Sequence, residues 1–400
     1  MKTTKIEEIS RELIEADTVS HHASRPAMTR IGERLDAAGF RVAYQEWSGA
    51  GAEKANLVAV AGPPEPDGLV LSGHLDVVPF EDQPGWTRDP LALTFEGDRV
   101  YGRGTTDMKV FLAQCIAAME GYALDRLRRP VVLIFTSDEE VGCSGARRLV
   151  DALPAMLGDT PPPRLCWIGE PTSWQVFHAH KGVVSFGVEV RGQGGHSSLP
   201  EAGVSAIAVA VQLIARIGAV QAGLRRAPDP AYAPVFPDAP YTTLNFGTVQ
   251  GGTALNMIAD VCRFDVSYRP LPDQDPAALW QRLRDLLLDD SARDWGSGRT
   301  AVEVRVSDPF SAPGMNSPRG TRLEAALRAQ FDQAAEGGAP FCTDGGQLAR
   351  AGIDSIICGP GDLVQAHQPD ESLSRSAFEQ GAAQIEAVVE RLCGVGANSG

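Results

Sequence analysis

The sequence contains no C-x-x-C pair, and its cysteine total is odd. The seven cysteines are scattered along the chain as Cys115, Cys143, Cys166, Cys262, Cys342, Cys358 and Cys393. A disulfide framework needs paired thiols and a structural zinc site needs clustered thiolates, so this spacing argues against both. Scattered cysteines of this kind are typical of reduced thiols, and we expect a cytoplasmic protein.

The sequence also lacks an excess of positive charge and a leader segment. Acidic residues outnumber basic ones by 51 to 36, which gives a formal net charge of -15 and argues against nucleic acid or an anionic membrane as the main partner. Residues 1–20 have the spacing of an amphipathic helix and no uninterrupted apolar run, so we expect neither a signal peptide nor a membrane span. A small molecule is the expected partner.

The first 180 residues alternate helix-like and strand-like segments. Short runs of Val, Leu and Ile, each closed by polar residues, are NLVAVAG, GLVLSGHLD, PVVLIFTSDEE and RLCWIGEP. Near-continuous apolar runs are typical of strands that are covered on both faces. The pattern predicts an α/β fold with a mostly parallel central sheet flanked by helices.

The pattern changes near residue 181. Strand, helix, two strands, helix and a final strand follow one another as far as about residue 312, which predicts an inserted α+β domain over 181–312. Helix and strand signals then return, with helices predicted over 321–335 and 376–393. Four hundred residues exceed one typical core, and we expect 1–180 and 313–400 to form a single domain around the insertion.

Polar residues follow several of the predicted strands. One further carboxylate stands in a Gly-rich turn before an apolar helix, and the set is His74, Asp76, Asp107, Asp138, Glu139, Glu140, Glu170 and His367. Open parallel sheets bind ligands beyond the carboxyl ends of their strands, so these side chains are expected at one rim. Any one of them alone is more often a solvated turn residue, and only their convergence indicates a site.

The residue types at this rim indicate the ligand. Two imidazoles with several carboxylates and no thiolate favour Zn²⁺ or a neighbouring first-row dication. More carboxylates are present than one tetrahedral ion needs, which is compatible with two cations that share a carboxylate.

GRGTTD lacks the third glycine of a dinucleotide fingerprint, and GCSGA lacks the spacing of a serine-hydrolase elbow.

Six strings occur in a specific order between about residues 55 and 371. They are GHLDVVP, GRGTTDMK, TSDEE, GEPT, GQGGHSS and QAHQPDE, and together they resemble the M20 family of dinuclear-zinc peptidases and deacylases. Each string is weak alone, but six in order are specific. The resemblance implies two Zn²⁺ per chain, for which Co²⁺ can substitute, and a homodimer formed through the inserted domain.

The resemblance also implies roles for individual residues. The aspartate after the first histidine, Asp76, orients that histidine, and Glu139 is the general base. Asp107 bridges the two metals and precedes an unusual cis peptide bond. His196 stabilises the oxyanion in the partner subunit's active site. The implied metal ligands are His74, Asp107, Glu140, Glu170 and His367.

The resemblance narrows the reaction to a group of related substrates. Glu170 is the residue typical of deacylases, and HKG and CTDGG are similar to the branch that removes acetate from N-acetylornithine or a related N-acetyl-amino acid. Implied substrate contacts are Asn256, Arg269, Thr343, Asp344 and Gly345. Desuccinylation of succinyl-diaminopimelate, general aminoacylase activity, carboxypeptidase activity and a non-catalytic metabolite-binding role remain alternatives. Val110 replaces the family's usual glycine, and SHHASRP also departs from that branch.

Overall fold

The chain is described by a computed structural model over residues 2–49, 51–291, 302–331 and 337–395. It forms two compact units, of which one comprises Met1–Ala179 with Met315–Gly400 and the other comprises His180–Gly314. The α-helices in chain order are α1 (Lys2–Glu15), α2 (Arg25–Ala37), α3 (Lys109–Glu120), α4 (Ser144–Leu157), α5 (Ala206–Arg225), α6 (Pro276–Ser291), α7 (Arg322–Phe331), α8 (Gly345–Arg350) and α9 (Arg375–Cys393).

The strands range from two-residue bridges to long sheet strands. In chain order they are β1 (Arg41–Gly49), β2 (Ala52–Ala61), β3 (Leu69–His74), β4 (Thr94–Glu96), β5 (Arg99–Tyr101), β6 (Val131–Thr136), β7 (Leu165–Ile168), β8 (Ala179–His180), β9 (Val183–Arg191), β10 (Gly195–His196), β11 (Thr243–Gly251), β12 (Met257–Ile258), β13 (Val261–Arg269), β14 (Glu303–Val306), β15 (Phe310–Ala312), β16 (Met315–Asn316), β17 (Asp354–Ile357) and β18 (Ser372–Ser374).

The larger unit is built on a six-stranded sheet in the order β1-β2-β6-β3-β7-β17. β3 is parallel to both of its neighbours, β6 and β7, and β17 is parallel to β7. Only β1 and β2 add antiparallel pairings, at one side of the sheet. The predicted mostly parallel sheet is confirmed. The helix predicted over 321–335 is present as α7, and residues 332–335 lie outside the described residues.

Side chains from the central strands are buried on both faces of this sheet. Along β6, Val131, Leu133 and Phe135 join a core that includes residues of α1, α3 and α9, while Val132 and Ile134 join a core with α4. Burying each such side chain stabilises the fold by about 1.5–3 kcal/mol. This two-sided burial explains why the strands read as apolar runs without alternation, and it fixes the strand ends that carry the polar residues.

The smaller unit has an antiparallel sheet in the order β11-β13-β9-β14, with β15 also pairing with β9. Burial alternates along β9, so one face of this sheet is covered, and α5 and α6 pack on it. Within the described residues, α5 is the one helix long and apolar enough to cross a membrane. The expectation that no such stretch exists is therefore wrong. Length and composition alone are weak evidence for a span, because a helix packed on a sheet meets the same criteria.

Candidate active site

Neighbouring strands of the larger sheet deliver the polar side chains to one edge. β3 ends at His74, Glu139 and Glu140 follow β6, and Glu170 follows β7. Because β3 lies between β6 and β7 and is parallel to both, the three ends meet. His367 arrives from the segment after β17. The structure thus brings together side chains that are far apart in the sequence.

Asp107 stands at the centre of the cluster, in the turn before α3, and the Asp107–Met108 peptide bond is cis. Its Oδ1 lies 3.1 Å from His74 Nε2, and its Oδ2 lies 3.3 Å from His367 Nε2. His74 Nε2 is also 3.8 Å from Glu170 Oε1, and His367 Nε2 is 3.1 Å from Glu140 Oε2. The two carboxylate oxygens of Asp107 therefore face two different groups of ligand-type atoms.

Each of these groups is compact. The potential ligand atoms of His74, Asp107 and Glu170 lie within 4.8 Å of one another, and so do those of Asp107, Glu140 and His367. Imidazole nitrogens and carboxylate oxygens are the donors that zinc binds outside thiolate sites. Two overlapping groups with one shared carboxylate fit a pair of dications bridged by Asp107.

Burial changes the protonation of this cluster in the metal-free chain. Burial raises the pKa of Glu139 and of Glu170 well above the ordinary value, and nearby carboxylates add to the effect. Hydrogen bonds with Asp107 and Glu140 raise the pKa of His367 to about 10. Without a cation the cluster thus retains protons against the mutual repulsion of its carboxylates, and bound dications would replace those protons.

Asp76 has different contacts from those that the sequence indicated. β3 ends at His74, so the strand alternation does not extend to Asp76, and His74 Nδ1 lies 2.9 Å from the backbone oxygen of Asp76. The Asp76 carboxylate is 3.7 Å from that nitrogen. It instead accepts hydrogen bonds from the backbone N–H of Glu139 and Glu140, at 3.1 and 3.2 Å, and from the Ser20 hydroxyl at 2.7 Å. The carboxylate holds the turn between β6 and α4.

Glu139 lies between the metal-type groups and a second small cluster. Its Oε2 is 4.0 Å from His74 Nε2, and its Oε1 accepts a hydrogen bond from Cys143 Sγ at 3.5 Å. Oxygen and sulfur atoms of Glu139, Cys143 and Asp344 lie within 4.8 Å of one another. Burial raises the pKa of Asp344 to about 6. The Glu139 side chain is thus 10% exposed, in surroundings that favour its protonated form in the metal-free chain.

The substrate contacts implied for the segment before α8 are buried. Thr343 has no exposed surface, and its hydroxyl accepts a hydrogen bond from the N–H of Gly345 at 3.0 Å. Asp344 is 3% exposed and accepts a hydrogen bond from Thr136 Oγ1 at 2.5 Å. Asp344 lies beside Glu139, so this segment borders the candidate site.

The remaining predicted residues belong to the smaller unit. His196 is exposed on β10, where the Ser198 hydroxyl lies 2.7 Å from its Nδ1. Asn256 is exposed nearby, since its backbone oxygen accepts a hydrogen bond from the N–H of Ser197 at 3.1 Å. Arg269 is exposed at the end of β13. His196 and Asn256 therefore share one region of this unit.

Sequence reasoning missed two groups beside the site. Lys54 is fully buried and forms hydrogen bonds of 2.7 Å with Asp138 and with the backbone oxygen of Ser20. The Ser20 hydroxyl also donates to Asp76. Ser20, Lys54 and Asp138 line a cavity of about 390 Å³ that reaches Glu140. No local pattern predicts these contacts, because the partners are far apart in the sequence. Cys143, by contrast, follows Glu139 by four residues in SDEEVGC, and this short separation could have predicted that the two side chains lie close together.

Comparison with known proteins gives consistent matches. The sequence profile of peptidase family M20/M25/M40 matches residues 70–391. An acetylornithine deacetylase of Myxococcus xanthus is 36% identical over 391 residues, covering 96% of each chain, and one of Proteus mirabilis is 33% identical over 396 residues with the same coverage. In fold, the chain is similar to the M20 metallo-carboxypeptidase Sso-CP2 of Sulfolobus solfataricus, with a TM-score of 0.78, 16% identity, and coverage of 96% of this chain and 98% of that one.

Proposed function

Because the chain belongs to peptidase family M20/M25/M40 and is a metal-dependent amidohydrolase, we propose that it releases acetate from an N-acetylated amino acid, with N-acetylornithine as the first candidate. Acetylornithine deacetylases related to it over nearly their whole length support this substrate. The observation that carries the proposal is the pair of ligand groups that share Asp107, next to the carboxyl of Glu139.

We assign one Zn²⁺ to His74, Asp107 and Glu170, and a second to Asp107, Glu140 and His367. Co²⁺ has similar ligand preferences and would substitute in both positions. The chemistry that such a cation pair supplies when bound is polarisation of the amide carbonyl and acidification of a water molecule. The protein has to hold the five ligands in place, position the substrate and move protons.

Glu139 is the residue that moves protons. Its carboxylate takes a proton from the attacking water, and the resulting carboxyl gives that proton to the amine nitrogen as the amide bond breaks. A pKa raised by burial makes the carboxylate a stronger proton acceptor, and the carboxyl then holds the proton until the amine nitrogen takes it. Asp76 holds the backbone of Glu139 in place, since its carboxylate accepts hydrogen bonds from the N–H groups of Glu139 and Glu140.

The smaller unit supplies the proposed substrate contacts and the subunit interface. On α5, Ile207 and Val211 are 40% and 58% exposed, and Val249 on the adjacent edge strand β11 is 62% exposed. An apolar helix face beside an open strand edge is suited to pairing with a second copy of the same surface. We therefore propose a homodimer through residues 181–312, in which His196 acts on the partner's substrate oxyanion.

Within the smaller unit, Arg269 and Asn256 are the proposed substrate ligands. Both are exposed polar side chains, and the guanidinium of Arg269 can bind an α-carboxylate through two hydrogen bonds. The overall negative charge of the chain does not oppose a substrate with a basic side chain. Thr343, Asp344 and Gly345 are proposed to lie near the substrate, since Asp344 lies beside Glu139.

The test is a substrate panel on chain reconstituted with Zn²⁺ or Co²⁺. We expect fast hydrolysis of N-acetylornithine or another acetyl-amino acid, and slow hydrolysis of succinyl-diaminopimelate and of simple dipeptides. The reverse preference would refute the acetyl specificity while leaving the hydrolase intact. Metal analysis of Asp107→Ala tests separately whether Asp107 is shared by the two cations. Two tightly held cations in that variant would refute this assignment.

A further inference from the structure

The turn that carries Asp107 is wrapped around a buried carboxylate from another part of the chain. One oxygen of Glu371, Oε1, accepts hydrogen bonds from the backbone N–H of Gly104, Thr106 and Asp107, at 3.1, 2.8 and 3.0 Å. The N–H of Gly102 donates to the backbone oxygen of Glu371 at 3.1 Å. Three convergent N–H groups form a concave anion site, and here the anion is a side chain of the protein.

The shape of this turn depends on its glycines. Gly102 and Gly104 have φ values of 144° and 87°, which side chains with a Cβ rarely adopt. These conformations point successive N–H groups toward Glu371. The Thr105 N–H and hydroxyl close the turn by donating to the backbone oxygen of Gly102, whereas the N–H of Asp107 is bound by the carboxylate that the turn encloses.

The second oxygen of Glu371 is bound by an equally buried cation. Arg103, which is 1% exposed, lies with NH1 2.7 Å from Glu371 Oε2, and its guanidinium lies 5.0 Å from the Trp86 ring centroid. A buried carboxylate is stable only when it is paired and fully hydrogen-bonded, and Glu371 meets both conditions. Its carboxylate is therefore fixed in position.

The same network reaches the segment that carries His367. Arg103 NH1 lies 3.4 Å from the backbone oxygen of Gln368, and Arg103 NH2 donates to the side-chain oxygen of Gln83. Gln83 Nε2 donates in turn to the backbone oxygen of His367 at 2.6 Å. Glu371 itself lies four residues after His367. One set of hydrogen bonds thus connects the turn of Asp107 to the loop of His367.

We propose that Glu371 is a positioning residue for the cation held by Asp107, Glu140 and His367. It fixes the backbone of Asp107 directly and fixes His367 through Arg103 and Gln83, so it sets the spacing between the two ligands without touching a cation. This inference rests on the assignment of Asp107 and His367 as ligands. It adds a role for the last residue of QAHQPDE, which the proposed mechanism does not use.

The alternative is that Glu371 only stabilises the fold, as buried ion pairs do. The two roles differ in what Glu371→Gln changes. The amide keeps one acceptor for the turn, but its NH₂ group faces the Arg103 guanidinium or the backbone N–H groups, and one side of the network must move. A positioning role predicts weaker binding of one cation, whereas a structural role predicts lower stability with both cations bound normally.

The experiment titrates metal-free Glu371→Gln with Co²⁺ against a competing chelator, recording visible absorption and stepwise affinity. We expect the affinity for one cation to fall by about 10–100-fold, the typical effect of losing a partner that orients a metal ligand. The absorption at two equivalents should change, and kcat should fall more than KM rises. Both affinities unchanged in a variant that is less stable to unfolding would overturn the proposal.

Glu324→Gln is the matched control. Glu324 is also a buried carboxylate of the larger unit, and it accepts hydrogen bonds from the N–H of Gly320 at 2.5 Å and from Arg328 Nε at 2.8 Å. Its loss should reduce stability and leave both cation affinities unchanged. If Glu371→Gln does not fold, Arg103→Lys keeps the positive charge but loses the contacts with Gln83 and Gln368, and it should weaken the same cation.

Asp107→Ala separates failure of this inference from failure of the site assignment. If Asp107→Ala retains two cations, the assignment of the ligands is wrong and the inference falls with it. If Asp107→Ala loses cation binding while Glu371→Gln binds both normally, only the inference is wrong.

Discussion

Replacing Asp76 by asparagine tests whether its carboxylate holds the Glu139–Glu140 turn. The carboxylate accepts three hydrogen bonds, from two backbone N–H groups and from the Ser20 hydroxyl. Asparagine keeps one oxygen and replaces the other by a donor. The hydroxyl can rotate to accept from that donor, but one backbone N–H is left facing an NH₂ group.

The expected magnitude follows from these contacts. A hydrogen bond to a charged group contributes about 1.5–3 kcal/mol, so the loss of one and the weakening of another should lower the free energy of unfolding by about 2–4 kcal/mol. The turn carries both Glu139 and Glu140, so kcat should also fall, by about 10–100-fold. Ser20→Ala is the control, because it removes one donor to the carboxylate without placing two donors against each other, and its cost should be at the low end of the range for a hydrogen bond to a charged group, about 1.5 kcal/mol.

The assay measures turnover with saturating Zn²⁺, together with urea unfolding of the same samples. Two double variants identify the cation that is affected. Asp76→Asn is combined with Glu170→Gln, which weakens the group that contains His74, or with His367→Ala, which weakens the group that contains Glu140. We expect the loss to fall on the group that contains Glu140. Full turnover in Asp76→Asn, or a loss confined to the group that contains His74, would refute this role for Asp76.

Three further outcomes are expected. Glu139→Gln should retain both cations and lose at least about 10²–10⁴-fold in kcat, and near-normal turnover would end its assignment as general base. Arg269→Ala should lower kcat/KM for an acetyl-amino acid by about 10- to 150-fold, equal to about 1.5–3 kcal/mol, and an unchanged ratio would exclude contact with the α-carboxylate. Because hydrogen bonds with Asp107 and Glu140 raise the pKa of His367 to about 10, cation binding at pH 7 should release protons and tighten as pH rises, as unbuffered titration would reveal.

The dimer requires a complementation test. Mixtures of His196→Ala chains with Glu139→Gln chains should regain activity if His196 acts across the interface. Absence of rescue in mixtures shown to exchange subunits would mean that His196 acts within its own chain or has no catalytic role.

The sheet and the ligand cluster were accessible from the sequence for a physical reason. Parallel strands buried on both faces read as apolar runs, and the residue at the end of each run is displayed at one edge. His74, Glu140 and Glu170 follow this rule directly. His367 was also expected at this rim from its place after a predicted strand, but it lies well beyond the end of β17, and no periodicity predicts where its loop returns.

The contacts of Asp76 were harder to predict. It stands two positions after His74, and strand alternation would put both side chains on one face, but β3 ends at His74. Past that point the backbone turns, and the carboxylate meets the N–H groups after β6. Contacts between loops depend on their paths, which side-chain pattern does not encode.

The order of the ligands along the chain has a consequence for biosynthesis. His74, Asp107, Glu140 and Glu170 precede the smaller unit, whereas β17, His367 and Glu371 follow it and leave the ribosome last. Until β17 has been synthesised, one edge of β7 has no partner strand. The carboxylates of Asp107 and Glu140 also lack His367, which completes their group. A cation that binds only when all of these residues are in place therefore stabilises the fully folded chain and favours the last step of folding. Chelators should consequently harm newly made or refolding chains more than mature protein, and refolding yield with and without Zn²⁺ would measure the difference.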